Sequence, residues 1–213
     1  MLSVNMFTTL DGVVQGAGGP EEDTSGGFDK GGWFIPFTAD PMFGRVVDGW
    51  FAATDAILLG RTTYDMFLGY WPDVTDPEDA VAARINAGPR YVVSATLREP
   101  AWAGTTVIDP SSSDLAAEVE ALKARAGDEL QVHGSARLAS TLHDLGLVDV
   151  YRIFVAPVVL GDGKRLFDRG AVPSGFTVTR TEVGESGLVY LELRPGPLEL
   201  AESAVIDNRD SVR

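Results

Sequence analysis

The chain has 213 residues, 45% of them hydrophobic, enough to bury a core without metals or crosslinks. It has no cysteine and only two histidines, which excludes disulfides, thiol nucleophiles, iron–sulfur clusters, Cys-ligated zinc and a His-based metal site. The 17 Lys and Arg residues against 31 Asp and Glu give a net charge of −14. A surface this acidic repels a nucleic-acid backbone, although a few placed arginines can still hold an anionic cofactor.

In chain order, residues 2–7 (LSVNMF) read as a first strand, with Asp11-Gly12 turning after it. This N-terminus lacks the basic and apolar regions of a signal peptide, and no apolar run reaches membrane-span length, so a cytoplasmic location is expected. Val13 to Ile35 is glycine-rich and follows a strand end, where open α/β sheets bind ligands; it reads as a lid. Asp40-Pro41 pairs an N-cap with proline at the first helical position, and a helix runs towards Ala53. Ala56–Leu59 is a buried strand, followed by a short helix capped by Thr62 or Thr63. Asp76-Pro77 begins another helix by the same cap-plus-proline logic, closed near Gly88.

Tyr91–Val93 and Thr105–Ile108 are the next strands, and Ser113 caps the helix DLAAEVEALKARA. Leu130–Val132 leads into His133-Gly134-Ser135 and the helix ARLASTLHDL, which Gly146 ends. Residues 149–156 form a strand of strong β-formers. Phe176–Val183 and Leu188–Arg194 make an antiparallel hairpin around Glu185-Ser186-Gly187. Alternating strands and helices predict an α/β domain over 1–194, with a mostly parallel sheet, helices on both faces and the hairpin at one edge. Residues 195–213 read as a polar, acidic tail.

Three strand ends carry small or polar residues. At Gly60-Arg61-Thr62-Thr63 a glycine admits backbone to a ligand, a helix N-terminus offers N–H groups and Arg61 adds a forked cation. Ser94-Ala95-Thr96, near Arg98, supplies hydroxyls and a charge. Gly134-Ser135-Ala136 begins a helix with three small residues, suited to a pyrophosphate. Each alone is equally a helix cap or a tight turn; their recurrence at successive strand ends points to phosphate binding. Neither a P-loop nor a Rossmann fingerprint is present.

Four segments carry a resemblance: TTLDGVV (8–14), AILLGRTTYDMF (56–67), YVVSATL (91–97) and HGSARLASTLHDLGLVDVYRIFVAPVVLGDGKRLF (133–167). With these the chain resembles the dihydrofolate reductase superfamily, and within it the stand-alone relatives of the riboflavin-biosynthesis pyrimidine reductase domain. The resemblance implies a dihydrofolate-reductase-like fold and NADPH as hydride donor. It places Arg61 and Ser94 at the adenosine 2′-phosphate and Thr62 and Thr63 at phosphate and ribose, beside Gly60. Gly134, Ser135 and Ala136, with Arg137 after them, hold the pyrophosphate, and Val13 and Val14 approach the nicotinamide. It further implies a small planar heterocyclic substrate and a homodimer. The chain departs from the pyrimidine reductases at Val13, where a basic residue is common, and at His133, where an acidic one is. The zinc ligands of the deaminase often fused to those reductases are missing, so deamination is excluded.

Asp11 is the candidate catalytic residue, orienting substrate at the base of the lid; Asp-Gly is also ordinary turn chemistry. Asp40 and Asp48 border the expected substrate cleft as candidate pterin-binding carboxylates, or respectively as a helix cap and a solvated helix face. Among the aromatics around the lid, Phe34 and Trp71 are candidate substrate contacts, or core. His133 senses phosphate, donates a proton or is structural, His143 lies on a helix surface, and Lys164 and Arg165 meet substrate or keep a loop solvated. The leading expectation is an NADPH-dependent reductase. The rivals are a pterin or folate reductase and, in another class, a binding protein that keeps the fold without turnover.

Overall fold

Hydrophobic alternation along the strands fixes which side of the sheet each helix covers. The computed structural model describes residues 1–125, 127, 129–168, 170–201, 203–206 and 209–212. Strands β1 (Leu2–Thr9), β2 (Thr54–Gly60), β3 (Arg90–Val93), β4 (Thr105–Ile108), β5 (Glu129–His133) and β6 (Val150–Ala156) run parallel. Strand β8 (Val189–Gly196) joins β6 antiparallel and β7 (Gly175–Val183) closes the edge, giving the order β4-β3-β2-β5-β1-β6-β8-β7.

Leu2, Val4 and Met6 point to one face with Leu130 and Val132. Helices α4 (Leu115–Arg125) and α5 (Ala136–Asp144) cover it with Val119, Leu122, Leu138 and Leu142. Helices α1 (Pro41–Ala53), α2 (Arg61–Leu68) and α3 (Ala80–Ala87) take the opposite face, where Phe51, Tyr64 and Ile85 pack on Ile57, Leu59 and Val92. Between α1 and β6 the core is aromatic, with Phe34, Trp50, Phe154 and Tyr190 buried together. The α/β fold with a mostly parallel sheet, helices on both faces and a C-terminal antiparallel hairpin is thus the observed architecture.

Local chemistry explains where element boundaries differ from expectation. Asp40 does cap α1, accepting from the Met42 N–H at 2.9 Å with Pro41 behind it. The second Asp-Pro signal does not start a helix. Asp76 accepts from Glu78 in a turn, and Asp79 caps α3 by accepting from Ala82, three residues later than expected. Asp114 rather than Ser113 accepts from the first N–H groups of α4. Neither Thr62 nor Thr63 caps α2, which begins at Arg61 behind Gly60. In the expected tail, β8 takes Pro195 and Gly196, and β9 (Ser203–Ile206) pairs antiparallel with β10 (Arg209–Val212). Residues 202, 207, 208 and 213 of that segment, and Ala126 at the expected end of α4, lie outside the described residues.

Candidate functional site

Unequal strand lengths leave a notch at the C-terminal edge of the sheet. β5 stops at His133, in register with Asn5, and β2 stops at Gly60. β1 continues, paired with β6 as far as Thr9 and Ala156. From Met6 onwards β1 therefore has a strand neighbour on one side only. Such gaps at the carboxyl ends of parallel strands are where open α/β sheets take ligands.

The loops at the notch are tied together by one hydroxyl. Gly134 and Ser135 are consecutive left-handed residues, φ 56° and 57°, and Ser135 is the one non-glycine residue with positive φ among the described residues. That conformation turns the Ser135 Oγ back across the sheet edge, where it accepts from the Gly60 N–H at 2.9 Å and donates to Thr63 Oγ1 at 2.7 Å. Gly60, Thr63, Gly134 and Ser135 thus form one cluster, beside which Arg61, Thr62 and Arg137 are exposed and Ala136 is half-buried. Arg61 makes an i,i+4 pair with Asp65 at 2.8 Å, exposed on both sides, whereas Arg137 makes no ion pair among the described residues. Ser94 differs from expectation: it is buried, and its Oγ accepts from the Thr96 and Leu97 N–H groups, so the oxygen shapes the turn and leaves Ala95 and Thr96 at the surface.

On the β1 side the segment between β1 and α1 is built around Gln15, which is buried. Its Nε2 donates to the Asp23 and Ser25 carbonyls, and its Oε1 accepts from the Lys164 N–H. Lys164 Nζ reaches Asp23 Oδ2 at 2.6 Å and Ser25 Oγ at 2.7 Å, which ties that lysine to the same segment. Val13 is fully buried and Val14 packs partly buried on the main core.

Asp11 holds this region from below. Its carboxylate accepts from Thr9 Oγ1 at 2.6 Å, the Leu160 N–H at 3.2 Å and the Gly161 N–H at 2.8 Å. The Thr9 hydroxyl foremost, then the two backbone donors, hold the acid at about 2, so at neutral pH it is an ionised acceptor and not a proton donor. A carboxyl depressed in the folded state contributes stability above its ordinary value near 3.8, lost as pH falls towards about 2. Acid titration of thermal unfolding should therefore show a loss between about pH 4 and 2 that is flatter in Asp11→Asn; equal slopes would remove this role.

The three candidate substrate contacts do not meet. Phe34 is 1% exposed, its ring stacked on Phe7 at 4.2 Å and 5°, and belongs to the aromatic core. Trp71 begins the short turn after α2 and packs edge-on against Phe67 and Tyr70. Asp48 is exposed on α1, lining a concavity of about 210 Å³ with Phe51 and Ala52 of the same helix and Ala80, Val81 and Arg84 of α3. Asp40, fully engaged, accepts from Met42, from the Ser186 N–H at 2.9 Å and from Ser186 Oγ at 2.7 Å, pinning α1 to the β7–β8 turn.

One of the two histidines departs from expectation. His143 is not on the surface: it is buried, with Nδ1 2.8 Å from Tyr151 Oη and Nε2 2.9 Å from the Val172 carbonyl. His133 closes β5 with its ring stacked on Phe51 at 4.9 Å and 12°. Burial first, and the Arg152 charge second, hold its pKa down at about 3, so it is neutral at physiological pH and cannot serve as an acid there. Among the described residues no helix is long and apolar enough to cross a membrane, and no group of His, Asp and Glu is arranged to hold a metal ion.

Comparison with known proteins places this geometry. The model of the RibD C-terminal domain matches residues 1–190. The chain is 30% identical over 190 residues to the uncharacterized protein YyaP of Bacillus subtilis, covering 88% of this chain and 91% of that one. A putative riboflavin biosynthesis protein from Shewanella sp. PV-4 superposes with a TM-score of 0.66 at 23% identity, covering 91% of this chain and 98% of that one. A dihydrofolate reductase from Enterococcus faecalis, complexed with NADP(H) and RAB-propyl, gives 0.56 at 12% identity, covering 92% and 96%.

Proposed function

The chain belongs to the RibD C-terminal domain family, and on that premise we propose that it is a reductase using NADPH to reduce a small planar heterocycle, similar to the pyrimidine reductase of riboflavin biosynthesis. The observation that carries this reading is the cluster of Gly60, Thr63, Gly134 and Ser135 at the notch, with Arg61 and Arg137 exposed beside it. The donor set fits a dinucleotide: glycine backbone admits a pyrophosphate, the start of α5 favours its charge, and two guanidinium groups can pair with phosphates. When bound, NADPH supplies the hydride, and the protein's part is alignment and exclusion of water.

In this reading Gly134, Ser135, Ala136 and Arg137 hold the pyrophosphate, and Gly60, Arg61, Thr62 and Thr63 the adenosine phosphate and ribose. The Ser94 turn shapes that end, and Val13 and Val14 flank the nicotinamide. Asp11 acts as a positioning residue, holding the Leu160-Gly161 backbone under the lid. The folate reading loses its acids, because Asp40 is a helix cap and Asp48 faces the α1–α3 groove. We read the protein as cytoplasmic and homodimeric, the exposed edge strand β7 being suited to a two-fold contact.

The test is titration with NADPH and NADH, followed by tryptophan quenching and thermal shift. Arg61 must leave Asp65 to take a phosphate, and an exposed pair of that kind contributes at most about 1 kcal/mol. Arg61→Ala should therefore weaken NADPH by about 1–3 kcal/mol and leave NADH nearly unchanged. Equal losses would place Arg61 elsewhere, and failure to bind either nucleotide would overturn the reading.

A further inference from the structure

We propose that His133 is a specificity-determining residue, presenting Nδ1 as a neutral hydrogen-bond acceptor that selects ligands carrying a ring N–H or hydroxyl donor. The proposal rests on the reductase reading for where the substrate lies, but the state of the imidazole follows from the polar layer beneath α1.

Gln131 fixes the tautomer. Its Nε2 lies 2.7 Å from the Trp50 carbonyl, which can only accept, so the amide orientation is determined. Its Oε1 is thereby turned to Asn5 Nδ2 at 3.1 Å and His133 Nε2 at 2.9 Å. An oxygen facing that ring nitrogen requires it to carry the proton. A neutral imidazole has one N–H, so Nδ1 keeps a lone pair.

Nδ1 has no hydrogen-bond partner among the described residues, and it is not among the fully enclosed polar atoms that lack one. It belongs to the last residue of β5, directly before Gly134, at the floor of the notch left where β1 runs past Asn5. Phe51, Phe67 and Trp50 surround the ring, with centroids 4.9, 6.5 and 6.5 Å away. An acceptor among aromatic rings favours a planar ligand offering an amide-like N–H, an amino group or a hydroxyl. It disfavours a carbonyl, carboxylate or phosphate oxygen at the same point, because two lone pairs would face each other.

With two histidines in the chain, nitrogen-15 correlation spectra of the imidazoles can be assigned using His133→Phe, which keeps a ring against Phe51 but removes the acceptor. The expected spectrum shows His133 as the Nε2–H tautomer at neutral pH. Uracil added to the NADPH-saturated protein should move the Nδ1 resonance, whereas dimethyluracil methylated on both ring nitrogens should not. His133→Phe should weaken uracil about fivefold and leave the dimethyl compound unchanged. If that variant does not fold, the wild-type spectra decide alone. An Nδ1–H tautomer, equal responses to the two pyrimidines, or no response to either overturns the proposal. A protein that fails to bind NADPH but still shows the uracil-specific shift would sink the reductase reading and leave the His133 assignment standing.

Discussion

Arg152→Met is expected to destabilise the protein by about 3–5 kcal/mol, because it strands a buried carboxylate. Arg152 on β6 makes a two-pronged pair with Glu129 on β5, at 2.6 and 3.1 Å, and the Glu129 side chain is 2% exposed. The Ser3 hydroxyl on β1 also donates to Glu129, and Arg152 Nε reaches Glu192 on β8 at 3.5 Å. The arginine thus links the strands that carry the end of the parallel sheet to the hairpin. Without it, Glu129 keeps one hydroxyl donor in place of a matching cation. Urea denaturation measures the loss, and a change below about 1 kcal/mol would show that solvent reaches the acid. Replacing both partners, as Glu129→Leu with Arg152→Met, should restore most of the stability, since the cost comes from the unpaired charge more than from the lost pair.

That same layer shows what could be read from the chain and what could not. Strands β1 to β6 and the β7–β8 hairpin were legible because β-formers and turn residues agree locally, as where Glu185-Ser186-Gly187 sits at the β7–β8 turn and Gly187 has φ 80°. Strands β9 and β10, by contrast, fall where a tail was expected. The polar layer was not legible either. Ser3 and Asn5 alternate with Leu2 and Val4, and Glu129, Gln131 and His133 alternate with Leu130 and Val132, which is the pattern of a strand with one wet face. Here that face lies under α1 and is buried, and Asn5, Gln131 and His133 bond to one another while Asn5 Oδ1 has no partner among the described residues. Period two reports that the faces differ, not that one meets water. His143 carried a usable signal: it continues the stripe of Leu138, Ala139 and Leu142 on α5, and spacing placed it inside where polarity suggested the surface.

The strand-end glycines were legible as a group, but the way they join was not. No spacing rule shows that Ser135 bonds across to Gly60 and Thr63, because the contact needs a left-handed serine and spans more than 70 positions of sequence. Asp11 was legible as a turn residue, whereas its hold on Leu160 and Gly161 depends on two distant loops meeting.

Gly134→Val should cost NADPH affinity on the order of 100-fold, about 3 kcal/mol, while the protein stays folded. A side chain at Gly134 would find Thr63 Cγ2 at 3.5 Å, an ordinary contact, so packing does not forbid it. The folding cost comes from placing a β-branched residue at φ 56°, about 1–3 kcal/mol. In the proposed cofactor site the binding cost comes from an isopropyl group where the pyrophosphate would approach backbone. Ser135→Ala separates the two effects. It removes the acceptor of the Gly60 N–H and the donor to Thr63, costing about 1–3 kcal/mol of stability, yet leaves the surface open. The two variants should therefore lose comparable stability and unequal affinity, with the valine far the weaker binder in a calorimetric titration. Wild-type NADPH binding by Gly134→Val would move the cofactor away from the start of α5.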